Sequence, residues 1–289
     1  MVEMDMNLKY PIAEYGALFD AHVHTYFDYH DGMITPQQLI KMTLKKGFNY
    51  VCAMAHDTIR GVKIIEKLAK SFHLPSIPAM EISTIYNHIL AFGVQEWPYR
   101  RDCWDPDVVI EFLREQDCAI FLAHPYSNPH DGLWTPEIVK RLDIDGIEWT
   151  NSTAYWRNRK THKFYQNIPK GRRIAGSDAH TTSVLGTAFT QVDVNSADPD
   201  ELVAAMKKGK CKAYSGTAPL HRALHMSIKC IIWNSIIKRR WVEGRHIIPE
   251  GDHPGSIVPS IIKSSAEWVE TTMKKSENIR TKAWVDGSI

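Results

Sequence analysis

Short apolar runs, polar turns and helical stretches alternate along the first 220 residues. The runs are Ala17–Val23, Tyr50–Ala55, Ile77–Met80, Ile89–Val94, Ala119–Ala123, Gly146–Trp149 and Ile174–Gly176. They are rich in Val, Ile, Phe, Ala and Leu, which suits strands buried on both faces of a parallel sheet. Helix starts are marked by a capping side chain followed by proline, at Thr35-Pro36, Asp105-Pro106, Thr135-Pro136 and Asp198-Pro199. Proline at the first helical position gives up an N–H that would find no partner there, while the preceding side chain accepts a neighbouring one. Thr35 with Gln38 and Asp198 with Glu201 have the spacing of capping boxes. The pattern predicts a helix from Pro36 to Lys46 that buries Leu39, Met42 and Leu44 and is stopped by Gly47. Strands alternating with helices through short links predict an α/β fold with a parallel sheet, open or closed into a barrel.

Residues 221–289 read differently, with Trp233, Trp241, Trp268 and Trp284 and a Gly/Pro-rich stretch, Gly251–Pro259. This segment fits terminal helices packing on a barrel, a homo-oligomer contact or a disordered tail. Eleven Lys/Arg against seven Asp/Glu from His221 onward make it mildly basic, in a chain of net charge +2. A solvated surface is the simplest reading of that excess.

The length of 289 residues suits one large domain or two smaller ones. Cys52, Cys103, Cys118, Cys211 and Cys230 are scattered and odd in number, which argues against a disulfide framework and for a reducing compartment. Glu3 and Asp5 stand where a secretory leader would carry basic residues. The longest apolar stretch, Ile228–Ile237, contains Asn234 and is too short to span a bilayer. The expectation is a cytoplasmic protein with no membrane partner. No GxGxxG, Walker-type GxxxxGK[ST] or GxSxG element occurs.

Fourteen histidines are the anomaly. Asp20, His22 and His24 alternate along one run, so all three face one way if it is a strand. Two imidazoles so spaced can share a metal ion, and Asp20 is then placed to orient a histidine. Other runs end in Ala55-His56-Asp57, Met80-Glu81, Ala123-His124 and Ser177-Asp178-Ala179-His180, and one begins at His88. These groups gather at the strand ends where parallel α/β folds build their active sites. Burying so many ionisable groups together is costly unless cations neutralise them.

The combined motifs DAHVHT (20–25), DG-ITP (31–36), AHDT (55–58), AMEIS (79–83), HILAFG (88–93), AHP (123–125), IEWTN (147–151) and GSDAH (176–180) resemble the polymerase and histidinol phosphatase (PHP) superfamily of metal-dependent phosphoesterases. The resemblance runs from about Leu18 to Gly216. It implies a distorted seven-stranded (β/α) barrel, TIM-like and of PHP type, over residues 1–216, with 217–289 as a C-terminal extension. Carried over residue by residue, it implies three metal sites: His22, His24, Glu81 and Asp178; Asp31, His56 and His180; and Glu81, His88 and His124, with Glu81 bridging the first and third. Asp31 lies seven residues after His24 rather than the usual five, so Asp28 and His30 are alternative loop ligands.

Imidazole and carboxylate without thiolate suit Zn, Mn or Fe and disfavour Mg or Ca. Two or three such divalent ions would clamp a phosphate, and a metal-bound hydroxide would attack phosphorus in line. Asp57 is a candidate to orient a histidine or relay a proton, or else to cap near Thr58. Arg60, Arg157 and Arg159 are candidates to hold the substrate phosphate, and Trp149, Tyr155, Trp156 and Tyr165 to stack on a base. The expected activity is hydrolysis of a phosphate ester in a small metabolite, a nucleotide or the end of a short nucleic acid. A histidinol phosphatase and a catalytically silent metal-binding module are the alternatives. An amidohydrolase would want a bridging lysine, which these motifs lack, and a structural zinc site would want cysteines.

Overall fold

The computed structural model describes residues 11–28, 32–97, 105–126 and 134–233. Nine strands lie in this part of the chain: β1 (Ala17–Phe19), β2 (Val51–Ala53), β3 (Ser76–Ser83), β4 (His88–Phe92), β5 (Ala119–Leu122), β6 (Gly146–Asn151), β7 (Arg173–Gly176), β8 (Phe189–Val192) and β9 (Cys211–Tyr214). Eight helices accompany them: α1 (Ile12–Tyr15), α2 (Pro36–Lys46), α3 (Val62–Ser71), α4 (Pro106–Glu115), α5 (Pro136–Val139), α6 (Tyr155–Phe164), α7 (Pro199–Lys207) and α8 (Leu220–Trp233).

β2 to β7 form one six-stranded sheet in chain order, a curled half-barrel, and β1, β8 and β9 form a second sheet in the order β1-β8-β9. Residues just beyond β1 make single parallel bridges to both edges of the large sheet, Val23 to Ala179 beyond β7 and His24 to Met54 beyond β2. The strands were expected to be parallel throughout, and this is corrected at β4, which pairs antiparallel with both β3 and β5. Only residues 84–87 separate β3 from β4, and a parallel return needs a crossover of a dozen residues or more. The reversal has a functional consequence. It brings His88, at the amino end of β4, to the edge where β3 and β5 end.

The predicted caps form. Thr35 and Gln38 make both halves of a capping box, and Gly47 closes α2 at φ 75°. Asp198 makes a shorter cap than expected, accepting from Asp200 N rather than from the third helical residue, and Asp105 does the same with Asp107 N. The buried side of α2 is Pro36, Leu39, Ile40 and Thr43, whereas Leu44 is exposed. The interior between sheet and helices is aliphatic and aromatic, with Phe19, Phe92, Phe121 and Leu90 in one cluster and Met80, Ile89, Ile120 and Trp134 in another.

α8 continues the chain past Gly216 and packs Ala223 and Met226 against the cluster around Val23 and Ile34. Trp241, Trp268, Trp284 and Gly251–Pro259 lie outside the described residues. Cys52, Cys118 and Cys211 are free, buried thiols, and Cys103 lies outside the described residues. Among the described residues no helix is long and apolar enough to cross a membrane.

Candidate metal centre

The side chains that converge at the sheet edge are centred on Glu81, which projects from β3 and is 1% exposed. Its Oε1 lies 2.8 Å from His88 Nδ1 and 3.0 Å from His124 Nε2. Its Oε2 lies 2.9 Å from His24 Nε2, 3.1 Å from His22 Nε2 and 3.5 Å from His56 Nε2. Asp178 Oδ1 closes the other side, 3.4 Å from both His22 Nε2 and His24 Nε2, and 3.7 Å from His180 Nδ1. The rings of His24 and His180 stack at 4.3 Å, and those of His24 and His56 at 4.7 Å.

Eight of the nine expected ligands therefore meet in one place. The ninth, Asp31, and its alternative His30 lie outside the described residues. Ligand atoms of His24, His56 and His180 fall within 4.8 Å of one another, as do those of His22, His24 and Asp178, and of His56, Glu81 and His88. His22 Nε2 and His24 Nε2 are only 3.0 Å apart. Imidazole nitrogens and carboxylate oxygens so crowded, in a buried pocket, make a donor set that fits divalent cations.

Local chemistry fixes each ring. A carboxylate can only accept, so His24 Nδ1–H donates to Asp28 Oδ2 (2.6 Å) and His22 Nδ1–H to Glu148 Oε1 (3.1 Å). Both Nε2 atoms are thereby left facing Glu81 and Asp178. Asp28 also accepts from the backbone N–H of His56 (3.1 Å), which ties the group that orients His24 to the segment after β2. Gly176, at the end of β7, has no room for a side chain, because a Cβ there would sit 2.7 Å from His22 N. Close approach, not an unusual φ, is why the GSDAH motif begins with glycine.

Burial opposes charge on His22, yet the Glu81, Asp178 and Glu148 carboxylates hold its pKa well above the ordinary imidazole value. His24 is raised in the same way, against burial, by Asp178, Asp28 and Glu81. At His56 burial prevails over Glu81 and Asp28 and pulls the pKa down to about 4. Burial would lift Glu81 and Asp178, but the surrounding imidazoles keep both well below the usual carboxylate range. Cations entering this centre have to displace protons from His22 and His24.

One expectation about an orienting carboxylate is corrected. Asp20 does not reach an imidazole ring. Its carboxylate accepts from Ser177 N (2.8 Å), Ser177 Oγ (2.5 Å), Gly186 N (2.7 Å) and His22 N (3.2 Å). β1 ends at Phe19, so strand alternation no longer governs where Asp20 points. Burial outweighs these donors and pushes Asp20 up to about 6. Asp57, at φ 52°, turns its oxygens onto Ser83 N (2.8 Å) and Ser83 Oγ (2.7 Å), pinning the end of β3. Arg60 is half-buried beyond β2, Arg157 is half-buried in the first turn of α6, and Arg159 is exposed in that helix. Trp149 packs between His162 and Arg173 and Tyr165 is buried, so neither offers a free face, whereas Trp156 is exposed.

Sequence reasoning missed Glu148 and Asn151 as site residues. Asn151 Nδ2 lies 3.1 Å from Asp178 Oδ2 and 3.4 Å from Glu148 Oε2. The available signal was an ionisable residue inside a run, Gly146–Trp149, that was expected to be buried on both faces.

Comparison with known proteins agrees with this geometry. A PHP-associated family model matches residues 156–211, the stretch that carries Asp178 and His180. An uncharacterised protein of Methanocaldococcus jannaschii is 30% identical over 148 residues, covering 48% of this chain and 83% of that one. A crystallised two-domain protein from Bacteroides vulgatus, described as containing a predicted PHP-like metal-dependent phosphoesterase, superposes with a TM-score of 0.55 at 18% identity, covering 69% of this chain and 65% of that one. PsfC from Pseudomonas syringae gives a TM-score of 0.54 at 12% identity, covering 76% of this chain and 98% of that one. At these identities the two structures speak for the fold, and the chain spans about two thirds of the length of the Bacteroides protein. From its motifs, its histidine-rich centre and these relatives, the chain belongs to the PHP superfamily.

Proposed function

We propose that the chain is a metal-dependent phosphoesterase acting on a phosphate ester of a small metabolite, a nucleotide or an oligonucleotide end. The observation that carries the reading is the gathering of five imidazoles around the two oxygens of Glu81, with Asp178 and His180 alongside. In this reading His22, His24, Glu81 and Asp178 hold one ion. His56 and His180, with Asp31, hold a second. Glu81, His88 and His124 hold a third. Zn, Mn or Fe suits such donors. Bound ions would supply a water acidified towards neutrality and positive charge for the non-bridging phosphate oxygens.

The chain's own groups do the remaining work. Asp28 and Glu148 keep the proton of each HxH imidazole on Nδ1, so that Nε2 faces inward. Asp57 holds the end of β3, and with it Glu81, in place. Arg60 and Arg157 are the cations proposed for the substrate phosphate.

The test is hydrolysis of p-nitrophenyl phosphate by metal-supplemented protein. Activity is expected in the wild type and should fall by at least about 10²-fold in both His22→Ala and Asp178→Ala, as when one group stabilising transition-state charge is removed. Activity surviving both changes would overturn the reading. A panel of nucleoside bisphosphates, short RNAs and histidinol phosphate then separates the substrate classes.

A further inference from the structure

The geometry points to Glu148 as the positioning residue that decides which nitrogen of His22 faces the metal centre, an inference resting on the metal-binding reading above. Glu148 is 1% exposed and stands in β6 where the pairing with β7 shifts register between Glu148 and Thr150. Such irregularities re-aim a side chain. Both of its oxygens are engaged. Oε1 accepts from His22 Nδ1 at 3.1 Å, and Oε2 accepts from the backbone N–H of His124 at 2.7 Å. One carboxylate thus ties together residues that approach Glu81 through different oxygens.

Glu148 positions His22 rather than ligating an ion beside it. A ligand atom of Glu148 does lie within 4.8 Å of ligand atoms of His22 and His124. However, the His22 nitrogen it meets is Nδ1, whereas Nε2 faces Glu81 and Asp178. A ring nitrogen that carries a proton for Glu148 cannot also donate a lone pair. Asn151 extends the arrangement. Its Oδ1 accepts from Thr153 N (3.1 Å) and Thr153 Oγ1 (2.8 Å), which fixes the amide and leaves Nδ2 directed at Asp178 and Glu148.

This arrangement makes glutamine a sharper probe than alanine. The backbone N–H of His124 can only donate, so the carbonyl oxygen of Glu148→Gln settles opposite it. The amide NH₂ then faces His22 Nδ1 and demands an acceptor there, moving the ring proton to Nε2, the nitrogen needed for metal. Alanine leaves a space in which water can accept from Nδ1–H, so the useful tautomer survives while packing is lost.

The experiment measures Zn²⁺ affinity by chelator competition, and thermal unfolding of metal-free protein, for wild type, Glu148→Gln and Glu148→Ala. Glu148→Gln is expected to bind Zn²⁺ about 10–100-fold more weakly, the usual effect of losing a group that orients a ligand. Its metal-free melting temperature should stay close to wild type, and Glu148→Ala should retain more affinity but melt lower. A Glu148→Gln affinity within twofold of wild type, or a larger affinity loss in Glu148→Ala, overturns the assignment. If a variant does not fold, ¹⁵N-histidine spectra of zinc-loaded wild type decide. A proton on His22 Nδ1 supports the inference, and one on Nε2 overturns it. Wild type that takes up no Zn²⁺ would sink the metal reading itself, whereas Zn²⁺ uptake unchanged by Glu148→Gln removes only the role of Glu148.

Discussion

Replacing Glu81 with glutamine is expected to leave a folded protein that holds fewer ions and hydrolyses a phosphoester about 10³-fold more slowly. Glutamine keeps the shape of the side chain and removes its charge. The two oxygens of Glu81 lie within 2.8–3.5 Å of nitrogens of His22, His24, His56, His88 and His124. With an amide in their place, one of the two carboxylate oxygens that would hold neighbouring cations becomes an NH₂ group, which binds no cation and repels imidazolium. Losing one preorganised charge-stabilising group costs about 10²–10³-fold in other enzymes, and Glu81 is expected to touch two ions at once. Steady-state hydrolysis by purified Glu81→Gln, beside its metal content, checks this. Activity within tenfold of wild type would show that Glu81 does not bridge.

The largest stability effect is expected at Asp20, away from the ions. Asp20→Ala should lower the free energy of unfolding by about 3 kcal/mol or more, at the upper end of what single substitutions do. Two buried backbone N–H groups, of His22 and Ser177, the part-buried N–H of Gly186 and the Ser177 hydroxyl share this one acceptor. Each buried donor left without a partner costs roughly 1–3 kcal/mol, less where water can enter. The same change loosens the segment after β1 from the end of β7, the two pieces that present His22 and Asp178. Urea unfolding of metal-free protein measures the effect. A midpoint shift worth less than about 1 kcal/mol would mean that Asp20 is not the tie described here.

Much of the centre was legible because its chemistry lies in local patterns. His22 and His24 alternate along one run, Asp178 and His180 along another, and isolated histidines or acids close the other runs. The starts of α2, α4, α5 and α7 were equally plain, since each cap and its proline are neighbours in the chain, whereas α3 and α6 begin with neither. The misread parts depend on geometry that no local pattern encodes. Asp20 sits one residue past the end of β1, where alternation stops applying. Glu148 owes its aim to a register shift against β7. Asp28 orients His24 from a loop without periodicity, so it was weighed only as a ligand. The antiparallel β4 could have been read, because four residues between two strands permit a hairpin and nothing else. β8 and β9 are short and half-exposed, and their apolar content is too thin to stand out.

Metal content is the most direct test of the central claim that these imidazoles and carboxylates exist to hold cations. Protein purified without chelators should carry more than one transition-metal ion per chain by mass spectrometry of the elements, and Glu81→Gln should carry fewer. A wild-type protein that is folded, free of metal and unable to take up Zn²⁺, Mn²⁺ or Fe²⁺ would contradict the account.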